Sequence, residues 1–443
     1  MLLSKVFKNI NKKYRLIDFN NIRFNSKHCK SNDIFFAITG NNLNGNDYIK
    51  DAISNGAKII VSNLRFKGFN KKKILFIHSK DPRKLLAEAA SNFYHKKPNN
   101  IIAVTGTNGK TSIANFYYQI LTLNNKKVAM IGTLGILSKK LKLKTNNTTI
   151  DPINIHKILN KLRKLKVNDV ILEASSHGLN QHRLNGLNFN TAIFTNLSRD
   201  HLDYHKNFKD YLNSKLILFN KLLKKKGNII FEEKIKQTKQ LNKISKKRKL
   251  KKYNFGKEKS FVSILNIQKI NNKKKVDFLF NNKRYSFETE LIGNIQIKNL
   301  MFAIIAAYLS KININNILKS INKIKPIPGR IEKIGKINNK ANVILDYAHT
   351  PEALKTVILN TKQEYPLSKI SLVFGCGGNR DKEKRSVMGL IATKYCDTIY
   401  LTDDNPRLEN PKLIRNQIKK GIKDKVFFEI PSRAKAILKA IND

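Results

Sequence analysis

The sequence predicts an α/β protein built from three units, each a sheet covered by helices. Three observations carry that expectation. The chain has 443 residues, which typical domain sizes divide into roughly three. Apolar β-branched runs alternate with amphipathic helical stretches along most of its length, the pattern of parallel strands joined by crossover helices. The alternation breaks at HKKPNN (95–100) and at Pro326-Ile327-Pro328-Gly329, both with linker composition. The expected units are 1–97, 98–328 and 329–443.

In the first unit, DIFFAITG (33–40) and KIIVSNL (58–64) read as strands. YIKDAISNGA (48–57) and PRKLLAEAASNFY (82–94) read as helices. In the second, AVTG, KVAMIGTLG, DVILEASS, TAIFTNL and NIIF are the expected strands of a parallel sheet. In the third, NVILDYA, ISLVFG and DTIYLTD alternate with helical stretches, which predicts a Rossmann-like unit.

Composition excludes several classes. A hydrophobic content of 41% supports packed cores and argues against disorder. No apolar run reaches the ~20 residues of a membrane span, and the N-terminal MLLSKVFKNINKKYRL lacks a signal-peptide core. Cys29, Cys376 and Cys396 have no CxxC spacing, so neither disulfides nor structural zinc is expected, and the expected compartment is the cytoplasm. The net charge of +55 invites a nucleic-acid reading. The basic residues are mostly lysines spread over the chain beside abundant Asn and Ile, as an AT-rich coding sequence produces. The densest run, 222–252, reads as a solvated face or loop. No helix-turn-helix or RNA-binding aromatic motif accompanies it, so no dedicated nucleic-acid partner is expected.

The most informative stretch is IIAVTGTNGKTS (101–112). An apolar strand stops at Gly106, and a glycine loop leads to Lys110, Thr111 and a helix start. This is a P-loop variant: backbone N–H groups wrap a polyphosphate, the lysine neutralises it, and the hydroxyl is placed for Mg²⁺. It makes the second unit resemble a P-loop ATPase, with ATP as ligand. ILEASSHGLNQHR (171–183) ends a strand at Glu173, either a Mg²⁺ ligand beside the loop or a polar strand end in solvent. TNLSRDHLDYH (195–205) gathers Asp200, His201, Asp203 and His205. The His spacing of four residues lacks the further ligands zinc needs, so Mg²⁺ with Glu173 is the better expectation. Lys215 lies on a largely apolar helical stretch, 210–222. In the third unit Asp346, Arg380, Asp404, Asn405 and Arg407 each follow a strand. They are expected to converge on the rim of one sheet, facing the ATP unit across a cleft.

TGTNGKTS, LEASSHGL with QHR, FTNLSRDHLDYH, VILDYAHTPEAL, FGCGGNRDKEKR and DDNPR occur in the order found in the Mur ligases. The chain resembles that family over nearly its whole length, most strongly in the central unit. The resemblance implies ATP- and Mg²⁺-dependent addition of meso-diaminopimelate to UDP-N-acetylmuramoyl-L-alanyl-D-glutamate by a monomer, in peptidoglycan precursor synthesis. It implies ATP binding by Gly106, Thr107, Asn108, Gly109, Lys110, Thr111 and Ser112, with Asn299, Arg330 and Asp346 holding adenine and ribose. Ser26, Asn147, Thr148, Thr149, Ser175, Gln181 and Arg183 would contact the UDP-muramoyl-dipeptide. Arg380, Asp404, Asn405, Pro406 and Arg407 would hold the diaminopimelate. Thr111, Glu173 and His201 would bind Mg²⁺, joined by Lys215, which falls on the lysine the family carbamylates. Lys110, Lys215, Glu173 and His201 are the implied catalytic residues.

The sequence departs from the family at Asn25-Ser26-Lys27, at the loop Asn41-Asn42-Leu43 and at Ile295-Gln296. It stops at IPSRAKAILKAIND, where the family continues into a strand and a Gly-Lys-Gly-His-Glu loop. A shortened third unit with weaker amino-acid binding is therefore expected. The competing readings are a lysine-adding family member, a folylpolyglutamate-type synthase, a decayed enzyme and a basic nucleic-acid-binding protein.

Overall fold

Strand Asn100–Thr105 sits inside the largest sheet and sends alternate residues to two cores. Ile102 and Val104 pack into one, Ile101 and Ala103 into the other. Both faces are therefore covered, which is why the strand reads as a continuous apolar run. The computed structural model describes residues 1–40, 43–256, 260–271, 273–337 and 341–443. Asn41 and Asn42 of the expected substrate loop lie outside these residues.

The large sheet has eleven strands. Its parallel body runs, in spatial order, Lys251–Phe255, Leu223–Glu232, Phe189–Phe194, Asn100–Thr105, Asp169–Glu173 and Val128–Gly132. Gly135–Ser138 and Leu141–Leu143 extend one edge in antiparallel pairing; at the other, Val262–Ile270 joins Lys251–Phe255 in parallel and leads an antiparallel meander with Lys273–Phe280 and Lys283–Thr289. The expectation of a parallel sheet holds for the centre; the antiparallel edges are an addition to it. Helix Lys110–Leu123 packs against helix Asn294–Leu309 over one face. The second helix is apolar nearly all round, as its sandwiched position requires. Helices Pro152–Lys164 and Phe208–Ile217 cover the other face. The basic run 222–252 proves to be a strand and a helix, Thr238–Arg248, whose lysines face solvent.

The N-terminal unit has a five-stranded sheet, four strands parallel. Helix Pro82–Phe93 packs on it, started by Asp81, whose carboxylate accepts from the Lys84 N–H at 2.9 Å. Its far end reaches the central unit, where Ser91 Oγ donates to the Gly186 carbonyl at 2.9 Å.

The C-terminal residues form two separate sheets. Strands Glu332–Ile337 and Ala341–Leu345 make an antiparallel pair, and Ser371–Phe374, Thr398–Leu401 and Val426–Glu429 make a parallel trio flanked by helices. This corrects the expectation of one shared rim. Asp346 follows the two-stranded sheet, whereas Arg380 and 404–407 follow the three-stranded one.

Buried His156 links helix Pro152–Lys164 to the Asn185 carbonyl through Nε2 at 3.0 Å. Burial, aided by the Lys97 charge, lowers its pKa to about 3. The unfolded chain protonates this ring near 6.5, so between those values the unfolded state binds the extra proton. Its contribution is complete above about pH 6.5 and declines as pH falls toward 3. His156→Leu should remove about 2 kcal/mol of the stability difference between pH 7 and 5; urea unfolding at both pH values measures it.

Candidate active site

The phosphate loop opens where strand Asn100–Thr105 ends, at the carboxyl edge of the parallel strands. Gly106 and Gly109 have φ of 147° and 88°, conformations that favour glycine. A Cβ at Gly106 would lie 1.9 Å from Thr195 Oγ1, and one at Gly109 2.7 Å from Asn299 Oδ1. The neighbouring strand end staples the loop. Thr107 N donates to the Asn196 carbonyl at 3.0 Å, Asn108 N to Asn196 Oδ1 at 2.9 Å, and Thr195 Oγ1 to the Asn108 carbonyl at 2.6 Å. Thr107 Oγ1 accepts from Ser198 N at 3.0 Å and lies 3.1 Å from Tyr211 OH.

Two lysines converge on this loop. Lys110 Nζ donates to the carbonyls of Gly106 at 2.9 Å and Thr107 at 2.7 Å. Lys215 Nζ, from helix Phe208–Ile217, donates to the same Gly106 carbonyl at 2.8 Å and sits 4.3 Å from the Tyr211 ring centre. Lys215 is only 1% exposed. Burial, then the Lys110 charge, push its pKa well below the ordinary lysine value, against the pull of Asp200. Lys110 is also lowered by burial, with Glu173 and Asp200 opposing.

Glu173 lies at the end of the adjacent strand, paired with Val104. Its carboxylate accepts from Thr111 Oγ1 at 3.0 Å, Thr133 N at 2.9 Å and Thr133 Oγ1 at 3.2 Å. A Cβ at Gly132 would fall 2.1 Å from Glu173 Oε1, so that glycine makes room for the carboxylate. The open question of a solvated strand end is thereby closed: Glu173 is buried beside the loop. Arg330 Nη2 donates to Thr111 Oγ1 at 3.1 Å from the opposite side. The Arg330 carbonyl accepts from Gln296 Nε2 at 2.8 Å, and Gln296 Oε1 from Asn299 Nδ2 at 3.3 Å. Asp346 Oδ2 accepts from Ile331 N at 2.7 Å; burial raises its pKa, opposed by that N–H and by Arg330. Asn299, Arg330 and Asp346 thus gather around the loop, with Gln296 as a link the sequence reading treated only as a departure.

His201 has φ of 56° and places Nε2 3.3 Å from Asp200 Oδ2. Burial lowers its pKa to about 3, against Asp200. Among the described residues no group of three or more His, Cys, Asp or Glu is arranged to hold a metal ion. The hard-cation donors Thr111 and Glu173 are nevertheless in hydrogen-bond contact, with His201 on the neighbouring loop, and that donor chemistry fits Mg²⁺ sharing phosphate oxygens.

A second network adjoins Glu173. Thr149 Oγ1 donates to the Glu173 carbonyl at 2.8 Å and accepts from Ser175 N at 3.0 Å. Arg183 Nη1 donates to the Thr149 carbonyl at 2.6 Å, and its Nη2 to Gln181 Oε1 at 2.7 Å. Thr148 Oγ1 lies 3.0 Å from Thr133 Oγ1, and Asn147 is exposed beside it. Ser26 stands apart on the N-terminal unit, in the turn Ser26–His28.

In the C-terminal unit, Arg407 Nη1 donates to the Gly378 carbonyl at 2.7 Å, and Gly378 N donates to the Asn405 carbonyl at 2.8 Å. Pro406 crowds Gly378, where a Cβ would lie 1.9 Å from the Pro406 carbonyl oxygen. Asp404 faces Arg433 at 3.6 Å. Beneath these loops the fully buried Arg385 makes a bidentate pair with Glu409, at 2.8 and 3.0 Å. Sequence reasoning missed Arg385, although it ends the motif FGCGGNRDKEKR.

Comparisons with known proteins place the chain in a family. Residues 18–94 match the profile described as Mur ligase family, catalytic domain. Residues 104–307 match the Mur ligase middle domain, and 329–443 the Mur ligase glutamate ligase domain. A protein of Rickettsia typhi named UDP-N-acetylmuramoyl-L-alanyl-D-glutamate–2,6-diaminopimelate ligase is 38% identical, over 98% of this chain and 88% of its own length. The chain belongs to the Mur ligase family.

Relatives with the same name in Rickettsia conorii and Rhizobium meliloti are 40% and 35% identical, over 95% and 96% of this chain and 88% and 86% of their own lengths. A solved structure of a ligase with that name aligns with a TM-score of 0.72 and 27% identity, covering 99% of this chain and 90% of that one. A Thermotoga maritima MurF ligase in complex with ADP shares the fold at TM-score 0.63 and 18% identity, over 95% of this chain and 96% of that one. The glycine loop 106–112 lies within the residues that match the middle domain. No helix among the described residues is long and apolar enough to cross a membrane.

Removing the Lys110 ammonium removes a charge from the centre of the loop. Lys110→Ala should lower ATP turnover at least about a hundredfold, since one charge-assisted contact to a transferring phosphoryl group supplies roughly 3 kcal/mol. Steady-state ADP release, with circular dichroism to confirm the fold, checks this.

Proposed function

We propose that this Mur ligase joins meso-diaminopimelate to UDP-N-acetylmuramoyl-L-alanyl-D-glutamate at the expense of ATP, as a cytoplasmic monomer. The reading rests on one observation above all: buried Lys215 and the loop lysine Lys110 meet on the Gly106 carbonyl, beside the Thr111–Glu173 contact. The names of its relatives support the choice of substrates. Residues 1–97 would bind the UDP end, 98–328 the ATP and the dipeptide, and 329–443 the amino acid.

In the proposed reaction, the D-glutamyl side-chain carboxylate attacks the γ-phosphorus of ATP. An acyl phosphate forms and ADP leaves. Residues 106–112 cradle the phosphates, Lys110 swings from the loop carbonyls onto their oxygens, and Asn299, Arg330 and Asp346 hold adenine and ribose. Thr149, Ser175, Gln181 and Arg183 fix the muramoyl-dipeptide, with Ser26, Asn147 and Thr148 extending that contact. Arg380 and Asp404-Asn405-Pro406-Arg407 present the diaminopimelate, whose amine attacks the acyl carbon and expels phosphate. Closure between units keeps water from the acyl phosphate.

Mg²⁺ supplies positive charge for the phosphate oxygens when bound; Thr111, Glu173, His201 and a carbamate on Lys215 are the residues that would hold it. The depressed pKa of Lys215 supports that modification. Its neutral amine forms a bond to the carbon of CO₂ and releases one proton, leaving an anion next to Lys110. Lys215→Ala should lose nearly all ligation and regain part of it with added short-chain carboxylates. Lys215→Arg, which keeps a cation and cannot be carbamylated, should stay inactive. Wild-type turnover in Lys215→Arg would end the carbamate reading. The activity itself is tested by incubating the protein with the UDP-muramoyl-dipeptide, ATP and either diaminopimelate or L-lysine, then weighing the product by mass spectrometry. Diaminopimelate should be the amino acid incorporated; a lysine product would reassign the third substrate.

A further inference from the structure

The loop after strand Phe189–Phe194 in the central unit and the loop after strand Ser371–Phe374 in the C-terminal unit meet through ion pairs of opposite sense. Arg199, from the central unit, lies 3.3 Å from Asp381 Oδ2 and also pairs with Glu383. In reverse, Arg380 Nη1, from the C-terminal unit, lies 3.6 Å from Asp203 Oδ2. His349 Nε2 adds a contact to Asp200 Oδ2 at 3.7 Å, and its carbonyl accepts from Lys384 Nζ at 2.8 Å.

The two arginine contacts differ in kind. Arg199 faces two carboxylates, and the Asp381 side chain is nearly covered. Arg380 is 48% exposed and meets Asp203 at one oxygen, beyond hydrogen-bond length. A contact of that kind is weak and replaceable, while the first is suited to hold the two loops in register. Asp203 itself keeps 23% of its side chain open to water, so it can leave Arg380 without being stranded in a dry interior.

We propose that Asp203 occupies Arg380 in place of the incoming amino acid's carboxylate, is displaced by it, and so sets the affinity for that substrate. The inference rests on the proposed role of Arg380 in presenting the diaminopimelate, a guanidinium being the partner its carboxylate calls for. A free carboxylate can take the guanidinium fork with two parallel hydrogen bonds, which the single long contact to Asp203 does not offer. An amine that lacks the carboxylate has nothing to exchange and leaves the pair closed. Asp203 thus raises the KM only of an amino acid that uses Arg380, and it keeps the guanidinium paired while the site is empty.

The test is a two-by-two set of variants, Asp203→Asn, Arg380→Ala and both together, with the KM for diaminopimelate, ATP and UDP-muramoyl-dipeptide read separately. Asp203→Asn should lower the diaminopimelate KM by roughly two- to fivefold, the range expected on losing an exposed rival ion pair. It should leave the other two KM values unchanged. Arg380→Ala should raise the diaminopimelate KM, and adding Asp203→Asn to it should produce no further change. An unchanged or higher diaminopimelate KM in Asp203→Asn, alongside a raised one in Arg380→Ala, would overturn the role of Asp203. An unchanged KM in Arg380→Ala would instead overturn Arg380 as the anchor, and the inference with it. Thermal unfolding of each variant keeps a loss of fold from being read as either result.

Discussion

The Gly106 carbonyl oxygen is the point on which the site depends, because two lysine side chains share it. Lys215 is buried and Lys110 partly so, and the hydrogen-bond partners of both are carbonyl oxygens. A carbonyl offers only a dipole, so the ammonium groups are solvated but not neutralised. Such an arrangement is poor for stability and well suited to a ligand that brings negative charge. The phosphates of a nucleotide meet that need at Lys110. A carbamate meets it at Lys215 by replacing one of the two cations with an anion. Both proposals therefore answer the same electrostatic deficit.

The sheet explains why this deficit occurs where it does. Parallel strands deliver Thr105, Glu173 and Phe194 to one edge, and each following loop begins there. The loop from 106, the Glu173 carboxylate and the stapling pair Thr195 and Asn196 are neighbours because their strands are. Thr111 then stands between Glu173 and Arg330, acting as donor to one and acceptor from the other. In the proposed function, a cation held by Glu173 and a phosphate near Arg330 would both compete for that single hydroxyl, which would couple the two proposed sites.

What could be read from the sequence follows the range of the interactions. The strand-loop-helix form of 106–112 was legible because a short motif fixes its local geometry. Local sequence left Glu173 open between a ligand and a solvated strand end, and Lys215 took its role only from the resemblance to the Mur ligases. The central parallel strands were legible because burial on both faces leaves an uninterrupted apolar run. The antiparallel edges were not, since the meander 262–289 mixes lysines with alternating apolar residues and resembles surface loop. The separation of Asp346 from Arg380 was also hidden. Among the described residues, the strands 332–337 and 341–345 pair only with each other, and nothing in their sequence marks them as a sheet separate from 371–374 and 398–401. Thr133 and Gln296 escaped because the bonds that tie them to Glu173 and to Arg330 span 40 and 34 residues of sequence.

The charge imbalance gives the remaining clue to organisation. With 31 acidic residues against 86 basic ones, an acidic side chain is the scarce partner in any ion pair. Many of the described acids are committed to a particular cation: Asp33 to Arg23, Glu364 to Lys269 and Lys274, Glu409 to Arg385, and Asp403 and Glu429 to Arg415. These pairs tie loops and strands together, whereas most lysines on 222–252 face water. A surface lysine in this chain is replaceable because many others stand near it. An acid is harder to replace, because acids are outnumbered by cations nearly three to one. The same scarcity gives weight to the carboxylates between the central and C-terminal units. Asp381 and Glu383 both serve Arg199, and Asp203 is left with Arg380 at longer range. The alignment of the two loops thus rests on few negative charges, and the weaker of those contacts falls on the arginine proposed to meet the substrate.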